Sequence, residues 1–152
     1  MIVALFATLS VQHSIAQVTT EAPPSALLNS YSNLKNVLVS SNKDTAAVNA
    51  AEFLDAVNAS DDVLLNEESR NALFSNTITI SHTKTLEVQI EKFAALSNDM
   101  YALAQKVKLS TEPVYWQYCP MKKASWLCNI KVIKNSYFGS AIFAWGSTKE
   151  TL

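Results

Sequence analysis

Residues 86–107 read LEVQIEKFAALSNDMYALAQKV. Leu86, Ile90, Phe93, Ser97, Met100, Ala104 and Val107 return every three or four positions, with Leu96 and Leu103 beside them. One face of an α-helix repeats at that interval, and a strand does not. The stretch therefore predicts a helix of more than twenty residues that organises the core of the protein.

Upstream the same period returns three times. Ser25 is a good N-cap, and Leu27, Tyr31, Leu34 and Leu38 form the stripe of a first helix over residues 25–39. Asp44 can cap a second helix with a narrow, Ala-rich stripe of Ala47, Ala50, Ala51, Leu54 and Val57, which favours close packing on a neighbour. Residues 58–62, NASDD, mark a turn, and Asn66, Glu67 and Glu68 open a short third helix through Ala72 and Leu73. The following NTITIS, residues 76–81, alternates like a strand, yet a lone strand between helices would lack a partner. It is read as helix or extended connector.

Downstream of Ser110 the composition changes. Residues 114–129, VYWQYCPMKKASWLCN, bring aromatics, a Pro, a thioether and both cysteines together, and residues 114–118 alternate in the manner of a strand. Gly139 and Gly146, the two glycines of the chain, suggest turns here. The expected fold is mainly α: an antiparallel helical bundle of about four helices carrying a small aromatic, partly β C-terminal cap from about residue 111. At 49% apolar and 16% charged residues, the 152-residue chain is long and hydrophobic enough for one globular domain, here residues 25–152.

The first sixteen residues, MIVALFATLSVQHSIA, are uncharged, apolar from Ile2 to Leu9, and end in Ser14-Ile15-Ala16, a small-x-small pattern. This reads as a signal peptide lacking a basic n-region. Residues 17–24, QVTTEAPP, read as a linker. The expectation is a periplasmic or otherwise exported protein that does not span the membrane. A net charge of -1 offers no footprint for nucleic acid, so none is expected as a partner.

Export leaves His82, Met100, Cys119, Met121 and Cys128 as the soft or borderline donors. Met100 lies on the apolar stripe and reads as core. His82, at the foot of the long helix, reads more simply as a surface residue than as a base or ligand. With one histidine beyond the leader, no GxSxG elbow and few glycines, the chain is not expected to be an enzyme. Cys119-Pro120-Met121 sets a thiol and a thioether on a stiffened backbone, a donor pair suited to Cu(I). The competing reading is a Cys119–Cys128 disulfide closing a loop of about ten residues, worth about 2–3 kcal/mol by chain entropy. Only the Cα separation can license it. Lys106, Lys108, Lys122, Lys123, Lys131 and Lys134 surround this segment against Glu112 alone, a face for solvent or for an acidic partner.

The series VYWQYCPM, ASWL, IKNSYFG and the closing STKETL resembles the domain of unknown function 3347. YSNLKNVLVSSN is similar to its first-helix motif, and Gln89, Phe93, Leu96 and Ser97 to its QR, F and LS pattern. The resemblance implies an exported helical domain, sometimes appended to adaptors of heavy-metal efflux systems. It also implies copper or heavy-metal association through Cys and Met, and an efflux system or another exported protein as partner. Cys119, Pro120 and Met121 match its signature. The late Met of that signature falls on Ile142, the late Cys on Trp145, and the Ser after WL is Cys128, so two of four implied soft donors are missing. Cys119, Met121, Cys128 and His82 make up the remaining candidate metal set. The alternative is a structural or protein-interaction module that has lost the site.

Overall fold

A computed structural model describes residues 23–138 and 144–152. Four helices follow one another: α1 Pro23–Val39, α2 Lys43–Ala59, α3 Glu67–His82 and α4 Leu86–Ala104. Short connections and the packing of each helix on the next give an up-down bundle. The segment read as a signal peptide, residues 1–16, and most of the one read as a linker, residues 17–24, lie outside the described residues. Pro23 and Pro24, read from sequence as tether, open α1, where a missing N–H costs nothing because the first turn has no acceptor for it.

The stripe of α1 packs as its spacing predicts: Leu27, Tyr31, Leu34 and Leu38 are all fully buried. α2 differs in two ways. Its N-cap is Asn42, whose Oδ1 accepts from Thr45 N at 3.1 Å, and Asp44 lies in the first turn. Its buried face is Ala46, Ala50, Phe53, Leu54 and Val57, while Ala51 is exposed. Phe53, the largest apolar side chain of the helix, sets the phase, and the alanines follow it.

α3 is sixteen residues long, not short. Its N-cap Asn66 accepts from Ser69 N at 2.8 Å, and it runs unbroken through NTITIS. Leu73, Thr77 and Ile80 are its buried residues, at helical spacing, and the Thr77 hydroxyl donates to Leu73 O at 2.6 Å. That bond within the helix lets a polar β-branched residue sit in the core. On α4, Phe93, Leu96, Ser97, Met100 and Leu103 are buried. The Tyr31 ring stacks on Phe93 at 5.3 Å and meets Phe53 edge-on at 6.4 Å, joining α1, α4 and α2.

Three antiparallel strands complete the fold: β1 Tyr115–Cys119, β2 Ala124–Cys128 and β3 Ser147–Thr151, in the order β2-β1-β3. β1 and β2 form a hairpin around residues 120–123, with Lys123 taking the left-handed conformation (φ 50°) that closes the turn. β3 returns along the other edge of β1, with a register shift between Trp116 and Gln117. Beyond it Val114 and Leu152 exchange two backbone hydrogen bonds of 3.1 and 2.8 Å. Gly146 (φ +156°) precedes β3; a Cβ there would lie 2.8 Å from Tyr118 O. Only a residue without one lets the chain come in that close.

Trp126, Leu127 and Cys128 are all buried, although consecutive strand residues point to opposite faces. β2 is therefore covered twice. α4 packs against it, and the segment after β2 folds back over the sheet: Ile130 O and Lys131 O accept from Gln117 Nε2, and Ser125 O accepts from the Tyr137 hydroxyl. Among the described residues, no helix is long and apolar enough to cross a membrane.

Candidate functional site

The cap meets the bundle through polar contacts set in an apolar interface. β2 is an edge strand, so backbone groups without a neighbouring strand need other partners. Leu127 N donates to the Tyr31 hydroxyl at 3.2 Å, and that hydroxyl lies 2.7 Å from Ser97 Oγ. One phenol thus joins α1, α4 and β2. Burial pushes it well above its ordinary 10.0, the bonds to Ser97 and Leu127 only partly opposing, so it stays protonated at physiological pH. Tyr137 is raised in the same way, chiefly by burial. Its ring meets Trp126 at 5.7 Å and Phe93 at 6.1 Å, and Tyr101 of α4 stacks on Trp116 of β1 at 4.3 Å.

One turn beyond Tyr31, Lys35 is 1% exposed and its Nζ donates to Cys128 Sγ at 3.6 Å. Burial lowers the lysine below its ordinary 10.5; the Cys128 sulfur opposes that, and Lys134 adds to it. A lysine flanking an apolar stripe reads from sequence as a solvated edge of the helix. The one available signal was its position four residues after Tyr31, on the same side of α1.

The four candidate ligands do not converge. Cys119 faces Ala124 and Cys128 faces Tyr115 across the hairpin, so the two thiols share a face of the sheet but sit at opposite ends of it. Four residues along a strand separate Cα atoms by about 13 Å, against the roughly 7 Å ceiling for a disulfide. Both cysteines are free and buried. The Cys119–Cys128 disulfide is thus corrected: the strands of a hairpin place residues equidistant from the turn opposite each other, and these two are not equidistant. Met121 stands on the turn, 56% exposed, while Cys119 next to it in the signature is fully buried. His82 is exposed at the end of α3, its Nδ1 2.8 Å from Ile78 O; a carbonyl only accepts, so that nitrogen carries the proton. Among the described residues, no group of three or more His, Cys, Asp or Glu side chains is placed to hold a metal ion. Ile142 and Gly139 lie outside the described residues.

Two surface depressions flank the cap. One of about 680 Å³ lies between the chain leaving α4, residues 104–114, and the C-terminal strand; one of about 280 Å³ lies between Glu87, Ile90, Glu91 and Ala94 of α4 and the hairpin with Lys122. Neither lining holds a histidine or a cysteine. In the cap Met121, Ile130, Val132 and Trp145 are exposed, as are Lys122, Lys123, Lys131 and Lys134.

Gln89, part of the family-like pattern, is a core residue: its Nε2 donates to Lys43 O at 2.8 Å and Ile80 O at 3.3 Å, tying the start of α4 to α2 and α3. Phe93, Leu96 and Ser97 of that pattern are buried as well. No curated protein and no solved structure matches the chain. A family model described as "Protein of unknown function (DUF3347)" matches residues 27–112, the four helices and the segment leading to the sheet. That is more than half of the chain, which belongs to this family.

Proposed function

We propose that the chain is a non-enzymatic, exported interaction module that binds an acidic partner through the outer surface of its C-terminal cap. The observation that carries this reading is Trp145, 54% exposed on a domain that buries Trp126 completely. Exposed aromatic and aliphatic side chains ringed by charge are the make-up of binding hot spots. Val132 at 65%, Ile130 and Met121 are further exposed apolar side chains of the cap, and the exposed lysines of the same segment favour negative charge in a partner. Neither depression is lined by a histidine or a cysteine, which favours binding over catalysis.

A photoreactive side chain placed at position 145, and separately at the exposed position 52 of α2, tests this in the organism's exported fraction. The expected outcome is a defined partner joined at 145 and not at 52, lost when Lys131 and Lys134 are changed to Glu. Equal labelling at both positions, or labelling indifferent to the charge reversal, would remove the reading. Copper or heavy-metal association, with an efflux system as partner, rests on the family resemblance and on the accessible Met121 thioether. Titration of the reduced chain with Cu(I) separates the two: saturable binding abolished in Met121→Ala would favour the metal, and its absence leaves the interaction module.

A further inference from the structure

Lys35 is among the largest fully buried side chains of the protein, and the only hydrogen-bond partner of its Nζ among the described residues is a thiol. The one ion pair among those residues is Arg70 with Asp62, so no carboxylate among them neutralises the buried amine. A lysine is expensive to bury without a countercharge, and a hydrophobic residue of similar length would fill the space at lower cost. The Nζ–Sγ contact spans 93 residues and joins α1 to the end of β2. A nitrogen nucleophile held against a sulfur is the arrangement from which an oxidised sulfur is captured.

We propose that Lys35 and Cys128 form an oxidation-dependent covalent cross-link, a sulfenamide that fastens the sheet to α1. The oxidant is a peroxide. In the first step the Cys128 sulfur attacks one peroxide oxygen: the S–O bond forms, the O–O bond breaks, water leaves, and the thiol becomes a sulfenic acid while the peroxide is reduced. In the second step the lone pair of Lys35 Nζ attacks that sulfur. The N–S bond forms, the S–O bond breaks, and the hydroxyl leaves as a second water with a proton from the amine. One thiol, one amine and one hydrogen peroxide thus give one sulfenamide and two waters. Burial favours the neutral amine that this attack requires. Cys128 is the last residue of β2 and residues 129–132 after it are exposed, so on this proposal peroxide enters by local opening at that end of the strand. Cys119, equally buried and with no amine against it among the described contacts, is the internal control.

The experiment is peptide mapping of the full chain after hydrogen peroxide treatment, digested with trypsin without reductant. The expected product is a peptide ending at Lys43, uncut after Lys35, joined to residues 124–131, two hydrogens lighter than the sum of the pair. Dithiothreitol should release it, and it should be missing from Lys35→Arg, which keeps the charge but not the nucleophile, and from Cys128→Ser. The proposal is overturned if Cys128 stays a thiol, if it proceeds to sulfinic or sulfonic acid without the cross-link, or if the cross-link runs to another lysine. The wild-type map alone decides among these, so the result does not depend on either variant folding.

Discussion

Tyr31 shows how much one side chain can carry. Its ring fills the junction of α1, α2 and α4, and its hydroxyl takes the edge N–H of Leu127 while touching Ser97. Tyr31→Phe keeps the ring and strands the polar groups around it; the expected loss is about 1–3 kcal/mol, read as a lowered midpoint in urea with an unchanged slope. The position of Tyr31 on an apolar stripe was legible in the sequence because neighbours at three and four residues define a face. Its polar role was not, since Leu127 lies 96 residues away and nothing local marks the pair. The same holds for Lys35 and Cys128: each looks ordinary in its own segment, and only the docking of β2 on α1 makes a pair of them. Cys119 and Met121 part for the converse reason. They are near in sequence, but the turn between strands sends one inward and leaves the other in solvent.

At the level of elements, the helices were legible where a large side chain dominates the stripe and misread where small ones do. Alanines at 46, 47, 50 and 51 leave the phase of α2 open by one residue, and Phe53 decides it. The alternation of Thr and Ile over residues 76–81 leaves helix and extended connector both open, while the buried Leu73, Thr77 and Ile80 follow the helical period and decide for helix. The link between α2 and α3 rests on Arg70. Its guanidinium donates to the carbonyls of Val57, Ser60 (2.8 Å) and Leu65 (3.4 Å), satisfying the end of α2, which has no basic residue in its last turn. Arg70→Ala should therefore cost about 1–3 kcal/mol. Asp62, almost fully exposed although it pairs with Arg70 at 3.2 Å, should be dispensable: Asp62→Ala is expected within about 0.5 kcal/mol of wild type. Thermal denaturation of both variants separates carbonyl capping from the ion pair; equal losses would assign the effect to charge.

Across the whole molecule, the interface between bundle and sheet sets the response to alkali. Tyr31 and Tyr137 have folded-state pKa values raised above 10.0 by burial. Their contribution is complete below pH about 10 and is lost above it, where the unfolded chain ionises and the folded one does not. Lys35 acts in the opposite sense. Its folded value is lowered, so stability rises with pH between that value and 10.5, where the unfolded amine still holds a proton that the folded one has released. Stability should climb gently through the mildly alkaline range and then fall at up to about 1.4 kcal/mol per pH unit per phenol. Melting temperatures across that range check this: Lys35→Met should flatten the climb, and Tyr137→Phe the fall. The α-then-β order of the chain was legible from composition alone. The strand order β2-β1-β3 was not, because β3 is a polar, exposed edge with no apolar pattern to announce it.

The pairing of Tyr31 with Leu127 also orders events in time. Each helix meets its successor through a short connection, so the bundle assembles quickly from local encounters, whereas closing a loop of this span is slow and comes late. The helices of a newly made chain are therefore expected to form before the hairpin docks, with both thiols open to solvent until it does. During that interval, rather than in the finished fold, a thiol reagent has its widest access to Cys119 and Cys128.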